Sequence, residues 1–261
     1  MKPNKHIQRE AQEATKIFDD RSLKNDYRHL SQILKPDLLV LDVGCGTGAI
    51  SKDIAQIIGE SGKVIGIDNT EKFILSGKEA NQNVLNLELI HTDLFDYNPG
   101  FKFDLIVSAR TLQWLSNPKE ALIKMKSLLK PDGQISILDY DHTKLIWNPL
   151  PPESMQEFYK TFLKWRADAG MNNKIGEDLV DLLKEVGFHS IEKINADEHY
   201  TAIDNKVKIG IWAKVAGSSQ MVEEGYLDDN LRLKSIEEYN DWIEAEAISM
   251  TMKLNEVRGK I

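Results

Sequence analysis

Short apolar runs alternate with amphipathic segments between residues 37 and 140. The runs "LLVLDVG", "KVIGID", "LELIHTD", "FDLIVS" and "QISILDY" are apolar on both faces, which predicts buried strands. The segments between them carry apolar residues at helical spacing, as at 50, 54, 57 and 58 in "AISKDIAQIIG". Strands that alternate with helices predict an α/β fold, with a doubly wound parallel sheet covered by helices on both faces.

The pattern is less regular on both sides of this core. Before the core we predict a polar helical segment over 1–36. After it we predict a Pro-rich loop over 141–152, helices over 153–168 and 176–186, and a sixth strand over 188–200. A second helical stretch over 205–246 and a final alternating strand over 248–254 complete the chain. Neither an internal repeat nor a low-complexity linker is visible, so we expect a single domain over residues 1–261.

Composition narrows the class of protein. The 261 residues are 41% hydrophobic and 28% charged, which is typical of a globular chain, and the net charge of −8 argues against nonspecific binding to nucleic acid or to an anionic membrane. The first twenty residues lack an apolar core, no run is long enough to span a bilayer, and Cys45 is the single cysteine. We therefore expect a soluble cytoplasmic protein without nucleic-acid or membrane partners, and no metal site because the histidines are scattered.

A glycine cluster follows the first strand. Gly44, Gly46 and Gly48 let the backbone turn sharply and approach a ligand, and with Ala49 they also fit the dinucleotide pattern G-x-G-x-x-A. Asp42 precedes the cluster, and its carboxylate would repel a pyrophosphate but suit a ligand with a positive charge. A dinucleotide, a cationic nucleoside and a tight turn without a ligand all remain open at this point.

Two further carboxylates end the second and third strands. Asp68 comes 20 residues after Gly48, where a carboxylate can accept both hydroxyls of a ribose. Asp93 closes "LIHTD", and either residue could instead cap a helix. Because unpaired carboxylates at one sheet edge cost stability, three in succession favour a ligand.

These motifs resemble, in order and spacing, those of class I S-adenosylmethionine-dependent methyltransferases, over roughly residues 30–140. The resemblance rests on "VLDVGCGTGAIS", "VIGIDNTEKFI", "HTDLFDY", "FDLIVSARTLQWLSNP" and "LLKPDGQISILDY", and it is strongest to the type 11 (UbiE-like) branch that methylates small molecules, including quinones and carboxylic acids. It implies a Rossmann-like sheet of seven strands with the last antiparallel, and helical lids at 141–175 and 205–246.

The resemblance also implies roles for individual residues. The methyl donor S-adenosylmethionine, which leaves as S-adenosylhomocysteine, would lie over the three glycines with its amino group near Asp42 and its ribose on Asp68. The remaining expected cofactor contacts are Tyr27 or Arg28, Asn69, Asp93 at the adenine, Leu94, and Ser108 near the methionine end. Gln113 and Trp114 would flank the sulfonium.

The acceptor site is less defined. A phenol, hydroxyl or ammonium acceptor needs a base, and the candidates just past the fifth strand are His142, Asp141 and Asp139, although a surface position for His142 remains the simpler interpretation. Candidate substrate contacts in the two lids are Trp147, Tyr159, Trp165, Arg166 and Trp212, with Tyr159 and Trp165 on a helical face that would equally suit a core.

The hypothesis is therefore transfer of a methyl group to the O, N or C atom of a small molecule, by a monomer or homodimer. The alternatives are a nicotinamide-dependent oxidoreductase, favoured by G-x-G-x-x-A alone, and a non-catalytic S-adenosylmethionine-binding module. A nucleic-acid methyltransferase is weaker, because "SART" stands where an N/D-P-P-Y-like tetrapeptide is typical of that class.

Overall fold

A computed structural model describes Lys5, Ile7 and residues 21–261. Much of the predicted N-terminal helix, 1–4, 6 and 8–20, lies outside the described residues. The described part contains the strands β1 Leu39–Val43, β2 Lys63–Asp68, β3 Leu87–His91, β4 Phe103–Ala109, β5 Leu129–Asn148, β6 His189–Asn195, β7 Glu198–Thr201 and β8 Ser249–Lys260.

Helices connect these strands. They are α1 Leu23–Asp26, α2 Ala49–Ile58, α3 Glu71–Ala80, α4 Pro118–Leu128, α5 Glu153–Asp168, α6 Ile175–Val186, α7 Lys206–Ile209, α8 Ile211–Ala216, α9 Gln220–Glu223 and α10 Asp229–Ala245, with short 3₁₀ turns at Leu30–Gln32 and Leu112–Trp114. None of the helices in this part of the chain combines the length and the apolarity that crossing a membrane requires.

The strands form one sheet in the order β3-β2-β1-β4-β5-β8-β6, with β7 also paired to β8. β1 to β5 are mutually parallel, and β8 runs antiparallel to its neighbours β5, β6 and β7. The order reverses at β1, so the carboxyl ends of β1 and β4 flank a crevice of the kind in which open α/β sheets bind ligands. The predicted doubly wound α/β fold with an antiparallel last strand is confirmed.

Both faces of the sheet are buried. Val40 and Leu105 pack with α2 on one face, whereas Leu41 and Ile106 pack with α4 and α6 on the other. Successive residues of a strand point to opposite faces, so the continuous apolar runs of the sequence follow from this double cover. The apolar cluster that contains Val40 and Leu105 continues into α5, α8 and α10 and so joins these helices to the sheet.

Three details differ from the expected strands. β8 is 12 residues long, where seven were predicted, and the sheet has eight described strands because Ala196 and Asp197 separate β6 from β7. β5 continues to Asn148, so residues 141–148 form a strand and the predicted loop is wrong there. The reason is the length of β8, whose Thr251 and Ser249 pair with Ile146 and Asn148 beyond a register shift after Asp141.

Candidate active site

A cleft of about 1200 Å³ opens at the carboxyl ends of β1 to β5. One part is lined by Gly44, Asp68, Glu71, Asp93 and Leu94, and we call it the acidic half. The other part is lined by Trp114, Tyr140, Phe162, Trp165 and Trp212, and we call it the aromatic half. The two halves form one continuous cavity, which exceeds the usual volume of a single small-molecule pocket, roughly 300–1000 Å³.

The turn after β1 supplies the floor of the acidic half. Gly44 has a φ of +74°, and a Cβ there would lie 2.2 Å from Oγ1 of Thr111, so only glycine fits. The backbone N–H groups of Gly44 and Cys45 donate to the carbonyl of Ile67, at 2.8 and 3.1 Å. The loop is thereby held against the end of β2. Of the three predicted glycines Gly44 lines the cleft, whereas Gly46 and Gly48 shape the turn behind it.

Asp68 is held rigidly at the end of β2. One carboxylate oxygen accepts the N–H of Gly46 at 3.0 Å and the other accepts the N–H of Thr70 at 2.8 Å. The side chain is mostly buried but still lines the cleft. Each carboxylate oxygen keeps a second lone pair, so Asp68 can accept hydroxyl groups from a ligand without losing either backbone bond.

Asp93, Asn69 and Leu94 also line the acidic half, as predicted for the far end of a nucleoside. One oxygen of Asp93 accepts the N–H of Phe95 at 2.8 Å, so the local capping role considered from the sequence is present too. That bond orients the carboxylate and leaves its second oxygen to accept a hydrogen bond from a ligand.

Asp42 and Ser108 lie behind the glycine loop and do not line the cleft. The carboxylate of Asp42 accepts the hydroxyl of Ser51, on the first turn of α2, at 2.5 Å, and the hydroxyl of Ser108 donates to the carbonyl of Val43 at 2.8 Å. Burial, followed by the charge of Asp68, raises the pKa of Asp42 to about 6, although the Ser51 bond acts in the opposite direction. Any effect of Asp42 on a ligand is therefore electrostatic.

Tyr27 does not reach the cleft, contrary to the expected cofactor contact. Its side chain is buried against the sheet, and its hydroxyl donates to the carbonyl and the hydroxyl of Ser136, at 2.8 and 2.9 Å. Arg28 is exposed, and its guanidinium donates to the carbonyl of Asp197. Arg21, which was not predicted, is the residue of this stretch that lines the cleft.

The aromatic half is a set of contacting rings from α5, α8 and β5. The ring centroids of Phe162 and Trp212 are 5.6 Å apart, and each lies 6.1 Å from that of His142. Trp212 also packs edge-on to Tyr159, at 4.6 Å. Rings at these spacings make a flat-walled apolar pocket that stabilises itself by mutual contact.

Four of the residues predicted to flank the sulfonium or to contact the substrate line this half, namely Gln113, Trp114, Trp165 and Trp212. Trp147, Tyr159 and Arg166 do not. The indole N–H of Trp147 donates to the hydroxyl of Tyr239 at 3.0 Å, and the hydroxyl of Tyr159 donates to the carbonyl of His142 at 2.6 Å. Arg166 donates to the carbonyl of Gln113 at 2.8 Å. These three side chains support the wall from behind.

His142 is buried and lines the cleft, so the surface interpretation is wrong. Its Nε2 lies 2.7 Å from Oε1 of Gln113, whose amide N–H₂ donates to the carbonyl of Arg110. This second bond fixes the amide orientation, so Nε2 of His142 is the donor and Nδ1 carries the lone pair. Burial, followed by the charge of Arg166, lowers the pKa of His142 well below 6.5 and keeps the ring neutral.

Asp141 turns away from the cleft because it follows Tyr140 in the extended strand β5. Its carboxylate accepts the N–H and hydroxyl of Thr143, at 3.0 and 2.5 Å, and pairs with Lys144 at 3.2 Å. Asp139 is fully buried and accepts the N–H groups of Gln113 and Tyr140. Of the three candidate bases, only His142 faces the cavity.

A buried ion cluster adjoins the aromatic half and was not predicted. The guanidinium of Arg110 pairs with Glu198 of β7, donates to the hydroxyl of Tyr140 at 2.8 Å and lies 3.9 Å from Asp26. Arg110 has a φ of +58°, which bends the chain after β4 and turns its side chain into the cluster. Its partners come from distant segments, so no local signal in the sequence pairs them.

Comparison with known proteins agrees with this geometry. A family model described as "Methyltransferase domain" matches residues 34–208, which is more than half of the chain. Malonyl-acyl-carrier-protein O-methyltransferase 2 of Ilyobacter polytropus is 30% identical over 138 residues, covering 50% of this chain and 52% of that protein. Demethylmenaquinone methyltransferase of Staphylococcus carnosus is 25% identical over 195 residues, which cover 69% of this chain and 77% of that protein.

Among solved structures, a SAM-dependent methyltransferase from Aquifex aeolicus superposes with a TM-score of 0.52 at 23% identity, over 68% of this chain and 88% of that one. This likeness concerns the fold, and the chain spans only about half of the first relative. The family model, the sheet order and the motifs agree with one another. The chain belongs to the methyltransferase domain family and is a member of the class I group that uses S-adenosylmethionine.

Proposed function

We propose that the chain transfers the methyl group of S-adenosylmethionine to the O, N or C atom of a small molecule. The observation that carries this proposal is the cavity of about 1200 Å³, in which the expected position for a nucleoside at the sheet edge continues into an aromatic pocket. A cavity of that size and division can hold a donor and an acceptor side by side.

The acidic half fits the cofactor. Gly44 would pass under its methionine part, Asp68 would accept the two ribose hydroxyls, and Asp93, Asn69 and Leu94 would surround the adenine. The carboxylates suit the positive sulfonium and amino groups of this ligand, and they would repel the pyrophosphate of a nicotinamide dinucleotide. When bound, the cofactor would supply an electrophilic methyl carbon. The acceptor's lone pair would form the new bond to that carbon, and the electron pair of the carbon–sulfur bond would stay on sulfur.

The chain itself would align the reactants and exclude water. Trp114, Phe162 and Trp212 would hold the acceptor flat beside the methyl group, and such alignment is worth about 7–11 kcal/mol of the barrier. His142 is the proposed base for an acceptor that must lose a proton, because its Nδ1 lone pair belongs to a neutral ring that lines the cavity. A carboxylate acceptor would need no base.

The segments 141–175 and 205–246 are proposed as the substrate lid, since α5 and α8 carry Phe162, Trp165 and Trp212 into the cavity wall. A cytoplasmic location, a monomer or homodimer, and the absence of a nucleic-acid partner also stay proposals. The net charge of −8 supports the last of these.

The test separates the proposal from its two alternatives. Thermal unfolding is measured with S-adenosylhomocysteine and with NAD, and the protein is then incubated with methyl-labelled S-adenosylmethionine and a metabolite extract. We expect stabilisation by S-adenosylhomocysteine and labelled product. Stabilisation by NAD alone would establish the oxidoreductase instead. Binding without any labelled product across extracts of different origin would favour the non-catalytic module.

A further inference from the structure

The charges that line the cleft are unevenly distributed between its halves. Three acidic residues line it in the described part of the chain, Asp68, Glu71 and Asp93, and all three belong to the acidic half. Four cations, Arg21, Arg110, Lys5 and Lys214, line the other end, beside the aromatic rings, and Lys72 stands next to Glu71 in the acidic half. The carboxylates that balance Arg110, namely Glu198 and Asp26, lie behind it and do not line the cavity.

The aromatic rings already carry cations of the chain itself. The guanidinium carbon of Arg166 lies 4.6 Å from the ring centroid of Trp114 and 5.4 Å from that of Phe162, and the guanidinium carbon of Arg110 lies 5.6 Å from that of Tyr140. The ammonium of Lys5 lies 4.9 Å from the ring of Trp165. Rings occupied in this way do not form a cage for a substrate ammonium, because that cation would face like charges.

Two buried donors on the wall of this half lack an acceptor in the described residues. They are Nη1 of Arg110, whose side chain is 3% exposed, and the indole Nε1 of Trp212, a residue 2% exposed. The neighbouring indole of Trp165 differs, because its N–H donates to Glu224 at 2.7 Å. Buried donors without a partner are uncommon in proteins, and for side chains that line a cavity a ligand oxygen would satisfy them.

We propose that the methyl acceptor is a flat, apolar molecule with an anionic oxygen, a carboxylate or a phenolate, recognised by Arg110 and Trp212. This inference rests on the proposed function, since it assumes that the cofactor occupies the acidic half. The rings bind the apolar body by contact, and the two unpaired donors bind the oxygen. The uneven distribution of charge orients the acceptor, because its anion is attracted to the end opposite Asp68 and Asp93.

The test uses four naphthalene probes that differ in one group: 2-naphthoate, 2-naphthol, 2-naphthamide and 2-naphthylmethylamine. Binding to the protein saturated with S-adenosylhomocysteine is measured by calorimetry. We expect naphthoate or naphthol, at a pH at which the naphthol ionises, to bind at least about tenfold more tightly than the amine. Preference for naphthoate identifies a carboxylic acid, and preference for ionised naphthol identifies a phenol. Equal or tighter binding of the amine would overturn the inference.

Two variants locate the recognition. Trp212→Phe keeps the ring and removes only the unpaired N–H, so the favoured anion should bind about threefold to tenfold more weakly while amine binding is unchanged. The matched control is Trp242→Phe, which removes a buried indole N–H that also lacks an acceptor in the described residues but belongs to a residue outside the cleft lining, and anion binding should not change. Equal effects of the two variants would contradict the role of Trp212.

Arg110 is tested as the double variant Arg110→Met/Glu198→Met, which removes both charges of the buried pair and leaves neither unpaired. Anion binding should fall by more than about tenfold, with S-adenosylhomocysteine affinity retained. Unchanged anion binding in a folded double variant would overturn the assignment of Arg110. Failure of the wild type to bind S-adenosylhomocysteine would instead refute the proposed function, so the two failures are distinguishable.

Discussion

The two halves of the cleft are built in different ways. The acidic half consists of residues at the ends of successive strands, and backbone N–H groups hold its carboxylates, as Gly46 and Thr70 hold Asp68. The aromatic half consists of side chains from distant segments that hold one another by contact, as Phe162 and Trp212 do. The first is a property of the fold, whereas the second belongs to this particular chain.

This difference predicts where substitutions act. Residues of the acidic half should change cofactor affinity, because the strands that place them pair through main-chain bonds that remain after a side chain is removed. Residues of the aromatic half should change stability and acceptor binding, because each ring is part of the wall that positions the next. Four substitutions or pairs test that separation, from the largest expected effect to the smallest.

Phe162→Ala should cost about 3–5 kcal/mol of unfolding free energy, since it removes a buried ring between His142, Trp165 and Trp212. Affinity for S-adenosylhomocysteine should stay unchanged. Urea unfolding and calorimetry measure the two quantities.

The matched control is Phe73→Ala, which removes an equally buried ring from the wall at the start of α3, beside the acidic half. Its stability loss should be similar, but cofactor affinity should fall as well. If Phe162→Ala weakened S-adenosylhomocysteine as much as Phe73→Ala, the halves would not be energetically separate.

A buried carboxyl with a raised pKa lies behind each half, Asp42 behind the glycine loop and Asp139 behind Gln113 and Tyr140. Burial raises the pKa of Asp42 and that of Asp139 to about 6, from 3.8. The unfolded chain releases each proton near pH 3.8 and the folded chain near 6, so the folded state binds more protons between these values. The contribution of each of these two carboxyls to stability therefore falls as the pH rises from 4 to 6, by roughly 3 kcal/mol for each carboxyl by pH 7.

The variants Asp42→Asn and Asp139→Asn should each remove the decrease in unfolding free energy that the substituted carboxyl contributes between pH 4.5 and 7.5. Urea unfolding at pH 4.5, 6 and 7.5 measures this share. Saturation with S-adenosylhomocysteine should reduce the share of Asp42, because the ligand's amino group favours the ionised form, and leave that of Asp139. If the ligand reduced both shares equally, the two carboxyls would not report separate halves.

The acidic half is also the part that the sequence predicts. Asp68 and Gly44 follow apolar runs at short spacing, and the ends of parallel strands meet at one edge, so their convergence needs no knowledge of distant contacts. The aromatic half could not be predicted in this way, because the contact between Trp212 and His142 depends on how residues 205–246 fold over the sheet.

Strand alternation is the signal that could have ranked the candidate bases. Residues 141–148 were predicted as a loop, and in a loop Asp141 and His142 are equivalent candidates. As part of β5 they point in opposite directions, with His142 on the same side as Tyr140 and both lining the cleft. The pairing partner that makes this segment a strand is β8, more than 100 residues later, so the alternation was not visible locally.

Asp68→Ala should weaken S-adenosylmethionine binding by about 1–3 kcal/mol, because two ribose hydroxyls lose their acceptor. The measurement is calorimetry on the folded variant. Asp141→Ala is the matched control, since Asp141 is equally buried but accepts bonds from Thr143 outside the cavity. Its cofactor affinity should equal that of the wild type. Unchanged affinity in Asp68→Ala would remove the ribose assignment.

Tyr27→Phe should have the smallest effect of the four tests. The variant loses the hydrogen bonds from the Tyr27 hydroxyl to Ser136 and should lower the unfolding free energy by about 1 kcal/mol. Cofactor affinity should not change, since Tyr27 does not line the cleft. A loss of affinity for S-adenosylhomocysteine would mean that the segment around Tyr27 moves to contact the ligand. The acidic half would then include side chains that are not positioned by the end of a strand.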